Sequence, residues 1–113
     1  MSSFKQLLIG VVLIVMSQGV FANWKSGNEL LANCGSEIPY MRGVCLGYIL
    51  GVDDRGWGKT HGGLSYCTPK GLTANQLQKI VSKYLNDHPE ELHYTADVLV
   101  GKALLKAFPC KAN

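Results

Sequence analysis

Four cysteines, Cys34, Cys45, Cys67 and Cys110, sit in a chain of only 113 residues, and the segment before them sets how they are read. Residues 1–6 carry one cation, Lys5, residues 7–16 are apolar apart from one glycine, and residues 17–22 end in Val20-Phe21-Ala22. A charged start, a short apolar centre and a small-residue end are the three parts of a secretory signal. The apolar run falls short of the ~20 residues a membrane-spanning helix needs, which disfavours a retained anchor. The expectation is a signal peptide over residues 1–22, cleaved after Ala22, and one small domain over residues 23–113 in the bacterial periplasm. No cysteine stands at the cleavage position, so lipid attachment is not expected.

An even cysteine count in a short exported chain reads as two disulfides. Neither C-x-x-C nor H-x-x-x-H spacing is present, so a metal centre is not expected. The formal charge of +3 falls to +2 once Lys5 leaves with the leader, too little to argue for nucleic acid or an anionic membrane as partner. A domain this small buries a thin core, so each bridge carries a large share of its stability.

Periodicity predicts four helices and no convincing strand. Ser26-x-x-Glu29 has the form of a capping box, with Leu30, Leu31 and Cys34 giving one apolar face to a first helix. Pro39 suits the first position of a second helix. Met41, Val44, Cys45, Tyr48, Ile49 and Val52 then recur at helical spacing. Gly43, Gly47 and Gly51 weaken that helix, at ~1 kcal/mol each, but leave a stripe another backbone can approach. Residues 53–66 break the pattern through Gly56, Gly58, Gly62 and Gly63 and read as the longest loop. Thr73-x-x-Gln76 is a second capping box, and Leu77, Ile80, Val81, Tyr84 and Leu85 form a clean amphipathic stripe behind it. The third helix should stop near His88, because Pro89 disfavours helical backbone in the residue before it. Pro89 should open a fourth helix, with Glu90 and Glu91 at its positive end and Leu92, Ala96, Leu99, Val100, Ala103, Leu104, Ala107 and Phe108 buried. The fold class is all-α, a small bundle of about four helices stapled by two disulfides.

Sequence leaves three cysteine pairings open. With antiparallel third and fourth helices, and a long loop returning to the same pole, all four cysteines gather there. The preferred pairing on that geometry is Cys34–Cys110 with Cys45–Cys67.

Catalytic chemistry finds little support. Three histidines, His61, His88 and His93, accompany the cysteines, but a disulfide sulfur is not a nucleophile. Asp53 and Asp54 are adjacent, so on a helix they diverge and read as a cap or a surface pair. No phosphate loop, G-x-S-x-G or H-E-x-x-H motif is present, and nothing asks for a cofactor. The expectation is no enzyme and no catalytic residue. The glycine-rich loop is different. Arg55 and Trp57 are residue types that dominate binding hot spots, and binding loops on rigid scaffolds are common. Asp54, Arg55, Trp57, His61 and Tyr66 are the candidate binding residues. The competing reading folds Trp57 back over the core.

The ordered motifs resemble a known family. Cys45 to Asp54 resembles its central C-x-G-Y-I-x-G-x-x-D segment, and Cys67-Thr68-Pro69 its C-x-P element. Gln76 to Leu85 with His88-Pro89-Glu90 resembles its Q-x-x-x-x-V-x-x-Y-L-x-x-H-P-E turn, and Ala107-Phe108-Pro109-Cys110 its A-F-P-C ending. The family is the Rap/Tai group of immunity proteins linked to bacterial type VI secretion. The resemblance implies a small helical periplasmic protein, often a homodimer. Its implied partner is a cognate secreted peptidoglycan amidase, a papain-like Cys–His hydrolase whose active site it occludes without catalysis of its own. The mature form would engage neither nucleic acid nor membrane. A small periplasmic stress chaperone, or another helical binding protein without a toxin partner, is the alternative. The few histidines give that reading no evident pH switch.

Overall fold

The computed structural model describes residues 24–56, 60–61 and 64–110, with Ser3, Lys5 and Gln6 near the N-terminus. The expected signal peptide lies almost wholly outside these residues, as do Trp57, Gly58, Gly62 and Gly63 from the expected loop. The described residues of the domain form four α-helices: α1 (Gly27–Cys34), α2 (Pro39–Gly56), α3 (Ala74–Asp87) and α4 (Ala96–Ala107). Between α2 and α3 lies a short antiparallel ladder of β1 (Thr60–His61) and β2 (Leu64–Ser65), with Thr60 opposite Ser65 and His61 opposite Leu64. The all-α class holds, with this two-residue pairing as its one addition among the described residues.

Every helix supplies apolar side chains to one core. Leu30 comes from α1, Cys45, Ile49 and Val52 from α2, and Leu77, Val81 and Leu85 from α3. Ala96, Leu99, Val100, Ala103 and Leu104 come from α4. Each fully buried leucine contributes about 2–3 kcal/mol relative to an exposed one. Ala107, expected on the buried stripe of α4, is exposed, and Phe108 is only half-buried.

The caps act as their residue types suggest. Thr73 Oγ1 accepts from the Gln76 N–H at 3.2 Å, and Gln76 Oε1 accepts from the Thr73 N–H at 2.8 Å, a complete capping box. Ser26 Oγ accepts from the Glu29 N–H at 3.2 Å. Its backbone forms an antiparallel bridge with Thr95, in which the Gly27 N–H donates to Tyr94 O and the Ala96 N–H to Lys25 O. The start of α1 is thereby fastened to the start of α4.

Three further expectations change in the helices and disulfides. The second helix does not stop before residue 53: α2 runs to Gly56, because Val52 is drawn into the core and carries the last turn with it. Pro89 opens a single 3-10 turn, Pro89–Glu91, and α4 starts only at Ala96. The strand-like backbone of Thr95, tied to Lys25–Ser26, interrupts the helical path. Finally, the disulfides are Cys34–Cys45 and Cys67–Cys110, not Cys34–Cys110 with Cys45–Cys67. A tight turn folds α2 back beside α1, bringing the Cα atoms of Cys34 and Cys45 to 5.0 Å. Tyr66 bridges to Pro109, which sets Cys67 against Cys110. The four cysteines thus pair in chain order, first with second and third with fourth. Sequence separations of 11 and 43 residues correspond to about 3 and about 4 kcal/mol of lost unfolded-state entropy.

The glycines divide sharply. A Cβ on Gly27 would meet Leu99 Cδ1 at 2.3 Å and Leu92 O at 3.0 Å, where core and backbone leave no room. Gly43, Gly47 and Gly51 line the exposed face of α2, with open space where a Cβ would project. Urea denaturation of the mature domain should separate them. Gly27→Ala is expected to lower stability by about 1–3 kcal/mol through overpacking. Gly47→Ala is expected to raise it by up to about 1 kcal/mol through helix propensity. A neutral Gly27→Ala would contradict the close seating of α1 on α4.

Candidate functional site

The expected binding loop resolves into the last turn of α2, the β1–β2 ladder and an anchoring segment behind it. Asp54 and Arg55 are exposed, and both lie on the helix. Arg55 places a cation at the negative end of α2, where the helix dipole favours it. His61 belongs to β1, opposite Leu64 in the ladder. Trp57 lies outside the described residues, in the three-residue step from α2 to β1.

Tyr66 is a correction. The sequence reading placed it among the contact residues, yet its side chain is fully buried in the core. Its aromatic ring is among the largest fully buried groups of the core, and that burial outweighs the tendency of loop tyrosines to face water. Tyr66 can hold the hairpin in place but offers a partner no surface.

Beneath the hairpin the polar groups are incompletely matched. The Asp53 carboxylate accepts a hydrogen bond from Thr68, yet burial pushes its pKa above the ordinary value, helped by the neighbouring Asp54 charge. Burial, with a smaller contribution from Asp53, pushes the Tyr66 hydroxyl up to about 12. Among the described residues, Asp53 Oδ1 and the Tyr66 hydroxyl are buried with no hydrogen-bond partner.

A second polar group joins the 3-10 turn to α3 and α4, and the sequence reading missed it. Glu91 accepts from the Tyr84 hydroxyl at 2.8 Å and from the Lys102 ammonium. These two bonds, Lys102 first, hold its carboxyl below the usual range. Burial and the Glu91 bond push the Tyr84 hydroxyl up to about 12. His88 stacks on Tyr84 with ring centroids 4.0 Å apart, and its Nδ1 lies 2.8 Å from Tyr84 O. His88, Glu90 and Glu91 bring three ligand-type atoms within 4.8 Å of one another. Both Glu91 oxygens are already engaged, one by a cation, so the group works as a lock between elements. The signal available in sequence was the three-residue step from His88 to Glu91, which puts both residues on one side of the turn that Pro89 opens.

Asp53 and Glu91 have opposite pH signatures. A carboxyl whose folded pKa is raised contributes fully below its unfolded pKa and loses that contribution as pH rises through the folded value. A carboxyl whose pKa is lowered contributes above its unfolded pKa and loses it as pH falls through the folded value. Asp53→Asn is therefore expected to raise the melting temperature at about pH 7, with a shrinking advantage toward about pH 4. Melting curves across that range check it, and a variant less stable than the parent at neutral pH would contradict the burial penalty.

Comparison with known families places this geometry. No match to a curated protein was found. The model of the Rap1a immunity proteins matches residues 26–110, from the N-cap of α1 to the last cysteine. That span covers all four helices, both disulfides and the hairpin between α2 and α3, and the chain belongs to the Rap1a immunity protein family.

Proposed function

We propose that the protein is exported to the periplasm, where it binds a type VI secreted peptidoglycan amidase and occludes its active site. The observation that carries this reading is the family match over residues 26–110, since an immunity protein acts by binding a cognate toxin. Export is supported by the leader pattern of residues 1–22 and by two disulfides, which persist in oxidising compartments. Occlusion needs an element that enters a cleft. The segment from Asp54 to Ser65 is the candidate on its residue types, with Arg55 as a directed charge and Trp57 as apolar area. Pairing with a second copy belongs to the same reading. Ile38, Tyr40 and Met41 at the start of α2 are exposed and give it an apolar surface.

Binding to the cognate amidase, measured by titration calorimetry, and loss of the amidase's wall-cleaving activity test the proposal together. Trp57→Ala is expected to weaken binding by about 2 kcal/mol or more, roughly 30-fold, while the melting temperature stays close to that of the parent. A loss of about 3–5 kcal/mol in stability would instead make Trp57 a lid on the core. Unchanged affinity would remove it from the contact surface.

The protein is also expected to release no fragments from purified peptidoglycan by itself. All four cysteines are paired, and a disulfide sulfur is no nucleophile. Cleavage by the purified mature domain would overturn the inhibitor reading.

A further inference from the structure

We infer that the Cys67–Cys110 disulfide is the positioning clamp of the hairpin, and that toxin binding depends on it while the Cys34–Cys45 disulfide serves the core alone. The inference rests on the proposed immunity reading and names how that same site is held. Two-residue strands are too short to sustain a hairpin by their own pairing. The hairpin's order must come from its ends. At the leading end, Val52 seats the last turn of α2 in the core. At the trailing end, three links follow in succession: Tyr66 is fully buried and bridged to Pro109, the Cys67 N–H donates to Phe108 O at 2.9 Å, and Cys67 is bonded to Cys110.

One polar contact spans the two ends, the hydrogen bond that the Asp53 carboxylate accepts from Thr68. Asp53 Oδ1 and the Tyr66 hydroxyl have no partner among the described residues. The covalent bond is the strongest of the links from the trailing end to the segment that follows α4. The other disulfide ties α1 to α2 at Cys45, which is fully buried and belongs to neither end of the hairpin. Cys67 is exposed, so a dithiol reductant can reach the clamp bond in the folded protein. Its thiolate attacks one sulfur, the S–S bond breaks, and two electrons and two protons leave Cys67 and Cys110 as thiols and the reductant as a disulfide.

Two double variants test the assignment, Cys67→Ser with Cys110→Ser and Cys34→Ser with Cys45→Ser. Both should melt at lower temperature, so stability does not discriminate between them. Amide hydrogen exchange over residues 57–66 does, and so does affinity for the amidase. The first variant is expected to exchange there about tenfold faster or more and to bind about tenfold more weakly or worse, because an unordered loop must be ordered on binding. The second should stay within about twofold of the parent in both measurements. If the first variant does not fold, the native protein is reduced mildly with dithiothreitol, alkylated at Cys67 and Cys110, and read by the same exchange measurement. Unchanged exchange in the hairpin, or equal loosening in the second variant, overturns the clamp. If the parent itself does not bind the amidase, the immunity reading fails, and the exchange result alone decides whether the bond orders the hairpin.

Discussion

Helix α4 buries Ala96, Leu99, Val100, Gly101, Ala103 and Leu104, a surface too wide for contact with a single neighbour. A helix buried over so much of its circumference must be surrounded, and the rest of the chain is arranged to surround it. The start of α1 sits against it through Gly27, where the missing side chain lets Leu99 pack directly on the backbone. The 3-10 turn is tied to its exposed side by Glu91 and Lys102. The segment after β2 reaches its far end through Tyr66, Pro109 and Cys110. Apolar burial sets the arrangement, and the hydrogen bonds and disulfides hold the elements in the places that packing has chosen.

Local chemistry was legible where it acts within a few residues. The Thr73–Gln76 capping box, the start of α2 at Pro39, the end of α3 before His88 and the stripe of Leu77, Val81 and Leu85 each depend on neighbours within two turns. Features set by distant partners were not legible. Whether helix resumes directly after Pro89 depends on Thr95 pairing with Ser26, almost seventy positions away, as ~3-residue capping signals cannot report. Cysteine pairing depends on which segments meet, and the expected pairing failed because α2 turns back directly on α1.

The candidate site shows the same division. Asp54 and Arg55 are exposed as residues of their type should be, although a helix presents them instead of a loop. Tyr66 could not be assigned from sequence, since a tyrosine beside a glycine-rich stretch serves equally as contact or as anchor, and only the bridge to Pro109 decides it. Glu91 carried a recognisable charge but an unrecognisable role, because its partners Tyr84 and Lys102 lie on two other helices.

Both disulfides join cysteines that are consecutive along the chain, first with second and third with fourth. In a polypeptide threaded N-terminus first into an oxidising compartment, Cys34 and Cys45 emerge together, before either of the others is available. An oxidase that links thiols in their order of arrival then makes the native bond first. When Cys110 follows, Cys67 is the only thiol left for it. For a chain exported in that way, this connectivity is one that vectorial oxidation alone would reach, with no wrong bond to be broken and remade.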